Sequence, residues 1–222
     1  MSASPSTDLG RAPGRPRHHL VITGVGRSGS TFLVELLTRL GLDTGFEPET
    51  VRQHVEPRSR AGLERDIRDD DAPYVVKSPK FIECAAEVLR DDRVVVDRAI
   101  LLVRELDRAA ESRRHVDSLA RRELSPWARL RHARTPLAVP GGIWAARTRG
   151  QDAQESALGA RLATLLLALA DSHVPLTLVR FPRMVRDPEY LYAKLGPLAR
   201  DLPFRQFCAA FRDTARPDLV SF

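Results

Sequence analysis

Short apolar runs alternate with helical patterns along the chain from His19 onwards. The first run, Leu20-Val21-Ile22-Thr23, is β-branched and ends at a glycine, which is typical of a buried parallel strand. Downstream, leucines recur at i, i+3, i+4 and i+7 before Gly41, at Leu33, Leu36, Leu37 and Leu40. This spacing predicts a helix with one buried face. The sequence therefore predicts a strand, a glycine-containing loop and a helix, in that order.

Three further apolar runs each end at a cation. The runs at 74–76, 99–103 and 176–179 come directly before Lys77, Arg104 and Arg180. Helical patterns lie between them, over roughly 80–90, 106–121 and 155–171, the last with Leu158, Leu162, Leu165 and Leu169 on one face. Strands that alternate with helices predict an α/β fold, here a three-layer domain with a central parallel sheet covered by helices on both faces.

The first 17 residues have a different composition from the rest of the chain. They are rich in Ser, Pro, Gly and Arg, and they cannot bury enough apolar surface to become ordered. We therefore expect a flexible tail over 1–17 and a single domain over 18–222, a length that suits one core. The segment 122–150 has no clear period, and we expect it to form a long excursion over the sheet, where substrate contacts often occur.

The charge of the chain favours anionic ligands. Lys and Arg number 35 against 29 Asp and Glu, for a formal charge of +6, and most of the cations are Arg. No recognised nucleic-acid-binding module accompanies this charge, so no nucleic acid partner is expected. The two cysteines, Cys84 and Cys208, are far apart and suit a reducing compartment. With no run near the roughly 18 apolar residues of a membrane span and no secretory signal, we expect a cytoplasmic protein without stable membrane insertion.

The loop between the first strand and the first helix has the composition of a phosphate-binding loop, and it predicts a domain of the P-loop type. It reads Gly24-Val25-Gly26-Arg27-Ser28-Gly29-Ser30-Thr31. In the nucleotide triphosphatase pattern G-x-x-x-x-G-K-[ST], the two glycines and Thr31 are present, but Ser30 stands at the Lys position. The clamp for γ-phosphoryl transfer is therefore missing, and a different cation, Arg27, lies inside the loop. A tight turn without a ligand is the alternative.

Two motifs together resemble the sulfotransferases that use 3′-phosphoadenosine 5′-phosphosulfate (PAPS). The run from Gly26 to Thr31 resembles their 5′-phosphosulfate loop, which is usually Lys or Arg followed by Ser-Gly-Thr-Thr. The strand-end Arg104, followed eight residues later by Ser112, resembles their 3′-phosphate site. A weaker similarity covers the late strand, loop and Asp-Pro-Glu helix start at 179–189. The three motifs span roughly residues 20–196.

The resemblance implies an enzyme that moves a sulfuryl group from PAPS to a hydroxyl or amine of a small-molecule, sugar or lipid acceptor, without a metal ion. It also implies the residues that bind PAPS, namely Gly26, Arg27, Ser28, Gly29, Ser30, Thr31, Arg104 and Ser112. For Arg104 the alternative is a solvent-facing ion pair with Glu105 or Asp107. Arg180 is expected to be structural. The family's C-terminal Arg-Lys-Gly and Gly-Asp-Trp-Lys elements are not recognisable, which leaves the contacts to adenosine undefined.

Catalysis of sulfuryl transfer needs cations on the leaving oxygens and a base for the acceptor. Arg27 and Lys77 are the candidate cations, since Val76-Lys77-Ser78-Pro79 resembles the Lys-x-Pro element of several sulfotransferases. The alternative for Lys77 is a lysine whose ammonium group reaches the surface.

The base is less well defined by the resemblance. Many cytosolic members use a His at the second position after the Lys, but here that position is Pro79. Other members, including the tyrosylprotein type, place a Glu in the segment beyond the loop cation. Glu47 is the first candidate on this basis, and Glu49 and His54 are the alternatives, the His because its ordinary pKa suits base catalysis near neutrality.

Two other functions remain open at this level. A kinase or other NTPase with a degenerate loop would bind Mg·ATP, and a non-catalytic member of the sulfotransferase family would bind nucleotide without turnover. The sequence carries no signature of the acceptor or of the oligomeric state.

Overall fold

The computed structural model describes residues 15–24, 26–57, 60–131, 150–196, 198 and 202–217. Most of the predicted N-terminal tail and most of the 122–150 excursion lie outside the described residues. Arg17, which we assigned to the tail, is the first residue of the first strand and is buried, with its guanidinium bonded to the carbonyl of Asp69.

The sheet has four parallel strands, as the alternating pattern predicted. They are β1 Arg17–Gly24, β2 Val75–Lys77, β3 Val94–Val103 and β4 Leu176–Arg180, in the order β2-β1-β3-β4. The chain leaves β1 toward β2 on one side and leaves β3 toward β4 on the other. In parallel sheets, ligands bind in the crevice at such a change of direction, outside the carboxyl ends of the strands. By this rule, the expected ligand position is between the carboxyl ends of β1 and β3.

The helices at 30–39, 81–88, 106–122 and 151–171 lie where helical patterns were predicted, whereas those at 126–131 and 204–214 were not predicted. The helices are α1 Ser30–Arg39, α2 Phe81–Val88, α3 Leu106–Arg122, α4 Pro126–Arg131, α5 Gln151–Asp171, α6 Pro188–Leu195 and α7 Phe204–Thr214, with 3-10 turns at Val51–His54 and Arg183–Val185. Helix α4 lies where the sequence has no clear period, and α5 begins earlier than the periodicity indicated. No helix among the described residues has both the length and the apolar character needed to cross a membrane.

Two apolar clusters lie on opposite faces of the sheet. Leu20 and Ile22 of β1 pack in one cluster with residues of α1, α6 and α7, whereas Val21 packs in the other with residues of α2 and α5. Successive strand residues point to opposite faces, so both faces of β1 are buried. The described residues thus form an α/β domain with helices on both sides of a parallel sheet.

Candidate anion-binding site

The loop from Gly24 to Thr31 follows the central strand β1, and its glycines are required by their surroundings. Gly26 has φ 74°, and a Cβ there would overlap Nη2 of Arg113 on α3. Gly29 has φ 81°, and a Cβ there would lie 2.8 Å from Cδ2 of Phe181. Both positions therefore combine left-handed backbone with close packing, which only glycine accommodates without a shift.

Helix α1 begins inside this loop, and its first turn favours a negative charge. Gly29 is the N-cap and makes no side-chain hydrogen bond to the helix, and the first turn carries no acidic residue. The amide groups of the first turn and the positive end of the helix dipole therefore lie at the carboxyl ends of the strands. The hydroxyl residues Ser28 and Thr31 are buried beside them, and Ser30 is half-buried.

Arg27 connects the loop to α3. Its backbone is left-handed, with φ 56°, and its Nε donates to Oγ of the buried Ser112 at 3.1 Å. The two motifs that the sequence analysis treated separately are therefore joined by a direct hydrogen bond. Burial lowers the pKa of Arg27, and the charge of Arg104 lowers it further, while Glu56 opposes the shift.

Arg104 lies just beyond β3 and contacts the loop. Its Nη1 donates to the carbonyl of Arg27 at 2.7 Å, and its guanidinium lies 5.0 Å from the ring centroid of Phe181. The residue is 8% exposed, so its guanidinium is buried and does not face solvent. Glu105 binds Arg180, at 2.6 Å between Oε1 and Nη2, in a pair whose two side chains are both exposed.

Arg113 is a fourth cation at the site and was missed by the sequence analysis. It follows Ser112 on α3, is 3% exposed, and packs its guanidinium against Gly26. Burial, followed by the charges of Arg27 and Arg161, lowers the pKa of Arg113 to about 9. Its only signal in the sequence was its position next to Ser112.

Lys77 reaches the loop from the end of β2. Its Nζ donates to Oγ1 of Thr31 at 2.9 Å, to Oε1 of Glu64 at 2.8 Å and to the carbonyl of Gly62. The side chain is 2% exposed, so its ammonium does not reach the surface. Burial lowers the pKa of Lys77, and the charge of Glu64 opposes this shift without cancelling it. Glu64 had not been singled out, because its segment has no regular pattern.

The three candidate bases lie on a surface segment. Glu47, Glu49 and His54 are all exposed. The carbonyl of Glu47 accepts hydrogen bonds from the amides of Thr50 and Val51, which lead into the 3-10 turn. Within the described part of the chain, no hydrogen bond or ion pair joins any of the three side chains to the loop.

The site is therefore a cluster of basic groups and amides at the carboxyl edge of the sheet. The described residues contain no group of three or more His, Cys, Asp or Glu side chains that could hold a metal ion. No protein-family model, curated protein or solved structure matches the chain. The geometry of the cluster itself is thus the basis for a functional proposal.

Proposed function

We propose that this protein is a PAPS-dependent sulfotransferase. The proposal rests on the direct hydrogen bonds between the loop and the motif formed by Arg104 and Ser112. Arg27 bonds to Ser112 across 85 positions of sequence, and Arg104 bonds to Arg27 across 77. Cations from the loop, from the end of β3 and from α3 therefore lie close together at the carboxyl edge of the sheet, which favours a ligand with more than one anionic group.

The groups at the site fit the two anionic ends of PAPS. The amides and hydroxyls of 26–31 suit the 5′-phosphosulfate, because helix N-terminal amides and buried hydroxyls donate to such oxygens. Arg104 and Ser112 suit the 3′-phosphate. Charge-assisted hydrogen bonds from Arg are short and strong, so the pair would hold the donor in one orientation.

In sulfuryl transfer the acceptor oxygen or nitrogen forms a bond to sulfur while the bond from sulfur to the bridging phosphate oxygen breaks. The electron pair of that bond goes to the phosphate, so negative charge grows at the bridging oxygen. Arg27 and Lys77 are the cations that we assign to this charge. We assign the acceptor's proton to Glu47, whose side chain is exposed to solvent.

The loop argues against the NTPase alternative. Ser30 replaces the Lys that contacts the β- and γ-phosphates, and the cation of this loop is at Arg27 instead. The acceptor that we propose is a hydroxyl- or amine-bearing small molecule, sugar or lipid, and not a nucleic acid. We place the reaction in the cytoplasm, where the free thiols of Cys84 and Cys208 would persist.

A thermal-shift titration tests the donor assignment. The protein is titrated with 3′,5′-adenosine bisphosphate, ATP and Mg·ATP side by side, and we expect the bisphosphate to stabilise most, by about 2.7 kcal/mol at a hundredfold excess over Kd. Arg104→Ala should lose this stabilisation, whereas Arg180→Ala, a matched change at the neighbouring strand end, should keep it. No shift with the bisphosphate, or a larger one with Mg·ATP, would exclude the donor assignment.

A direct assay separates catalysis from binding alone. Purified protein is incubated with PAPS and a panel of hydroxyl and amine acceptors, and products are analysed by mass spectrometry for an added sulfuryl group. Binding of the bisphosphate without any sulfated product, together with loss of a cellular phenotype in Arg27 and Arg104 variants, would favour the non-catalytic alternative.

A further inference from the structure

A short segment of the chain covers one side of the loop. We call residues 60–64, Arg60-Ala61-Gly62-Leu63-Glu64, the strap. Thr31 Oγ1 donates to the carbonyl of Arg60 at 2.9 Å. The hydroxyl of Thr31 is one of the groups that the loop would offer to a phosphate or sulfate oxygen, and the strap supplies its acceptor instead.

The strap also engages Lys77. The three hydrogens of an ammonium group can serve three acceptors, and here these are Thr31 Oγ1, Glu64 Oε1 and the carbonyl of Gly62. Two of the three acceptors belong to the strap. An oxygen of a bound donor can therefore accept a hydrogen bond from Lys77 only by replacing one of these three acceptors.

Glu64 is the strap acceptor best suited to such replacement. Its carboxylate makes the same charge-assisted bond to Lys77 that a sulfate or phosphate oxygen would make. Burial raises the pKa of Glu64, but the charge and hydrogen bond of Lys77, together with hydrogen bonds from the backbone of Gly62 and Glu64, outweigh burial and hold the pKa below its usual range, so the group is ionised at neutral pH. The side chain is 42% exposed, so water can solvate the carboxylate once it leaves Lys77.

The backbone of the strap is strained. Arg60 has φ 53° and Leu63 has φ 65°, although neither is glycine. Gly62 has φ 129°, and a Cβ there would overlap the carbonyl of His54. Such conformations are uncommon and cluster at switch regions and ligand clamps. Leu63 is buried in the apolar core and fixes the strap at one end, and at the other end the amide of Arg60 donates to the carbonyl of Glu56 at 2.8 Å. The side chain of Glu64 remains partly exposed between these anchors and Lys77.

We infer that the strap is an autoinhibitory contact in which the Glu64 carboxylate stands in for an anionic group of the donor, and that donor binding displaces it from Lys77. The inference rests on the proposed donor site. In the resting protein, the Glu64 carboxylate and an anionic group of the donor compete for the same ammonium group, that of Lys77. Removing the charge of Glu64 should therefore tighten donor binding. If Glu64 simply supported the site, replacing it would weaken donor binding instead.

Calorimetric titration with 3′,5′-adenosine bisphosphate tests this competition. We expect Glu64→Gln and Glu64→Ala to lower Kd by about tenfold relative to the wild-type protein. Asp91→Asn is the matched control, because it removes the same charge from an exposed pair with Arg93 and should leave Kd unchanged. Thermal melting checks that each variant is folded.

The outcomes separate the two proposals. Binding by the wild-type protein with an unchanged or higher Kd in both Glu64 variants would overturn the strap and leave the donor site standing. No binding by any variant or by the wild-type protein would overturn both. As an independent readout, hydrogen exchange in peptides that cover 60–65 should become faster when the wild-type protein binds the bisphosphate. Slower exchange there would also overturn the strap.

Discussion

Nε of Arg27 donates to Oγ of Ser112 at 3.1 Å, which makes the conformation of the loop depend on α3. Arg27 adopts a left-handed backbone that few arginines adopt, and two contacts hold it there, one from its own side chain to Ser112 and one to its carbonyl from Arg104. The conformation of the loop is therefore fixed without a ligand, and it can be altered by substitutions in α3, which is distant in sequence but in direct contact with the loop.

Replacing Ser112 by Ala should weaken binding without unfolding the protein. A lost hydrogen bond to a charged group costs about 1.5 kcal/mol, which corresponds to roughly a tenfold rise in the Kd for 3′,5′-adenosine bisphosphate. Ser118→Ala is the matched control, since Ser118 lies exposed on the same helix. Calorimetric titration of both variants decides the point, and equal affinities would mean that Ser112 does not support the donor site.

Replacing Gly26 by Ala should destabilise the loop more than the backbone conformation alone explains. Gly26 and Gly41 have similar positive φ values, 74° and 83°, but only at Gly26 would a Cβ meet other atoms, those of the Arg113 guanidinium. Gly41→Ala should therefore cost about 1 kcal/mol, and Gly26→Ala should cost more and also weaken bisphosphate binding. Urea unfolding of both variants measures the difference. Equal losses of unfolding free energy would show that the Arg113 side chain can move away from a Cβ at position 26 at little cost.

The fold and part of the site followed from simple patterns in the sequence. Apolar β-branched runs predicted the strands, and the carboxyl ends of parallel strands share one edge, so Lys77 and Arg104 could be placed near the loop. The same rule could not separate Arg104 from Arg180. The difference is physical, because Arg104 packs against the loop and the ring of Phe181, whereas Arg180 ends an edge strand and pairs with an exposed Glu.

Arg113 and Glu64 could not be predicted in this way. Helix α3 carries several arginines, and its charge pattern does not reveal which of them turns inward under Gly26. Glu64 lies in a segment without secondary-structure period, so its approach to Lys77 depends on the left-handed backbone at Arg60 and Leu63. Tertiary packing and local backbone conformation, and not residue type, determine these two positions.

Replacing Glu47 by Gln should slow turnover while leaving donor affinity unchanged if Glu47 accepts the acceptor's proton. The carboxylate is exposed and bonds to no group of the loop in the described residues, so its loss should not disturb the donor site. A catalytic base contributes about a hundredfold or more to the rate. Steady-state kinetics with PAPS measures kcat for Glu47→Gln and for Glu49→Gln as the control. A larger effect at Glu49, or at His54, would assign the base there instead.

The pH dependence of kcat/KM should reflect the protonation of Lys77. Lys77 can stabilise a leaving oxygen only while it holds its proton, so its contribution is present below its pKa and is lost as the pH rises through it. In the protein without ligand, burial lowers that pKa from the ordinary value of 10.5, so kcat/KM should begin to fall at a lower pH than an unperturbed lysine would give. In Lys77→Arg, where the cation keeps its proton at higher pH, this fall should disappear even if the rate is lower overall. Lys80→Arg, a matched change at an exposed lysine, should keep the wild-type profile. The same alkaline fall in Lys77→Arg would assign the titration to another group.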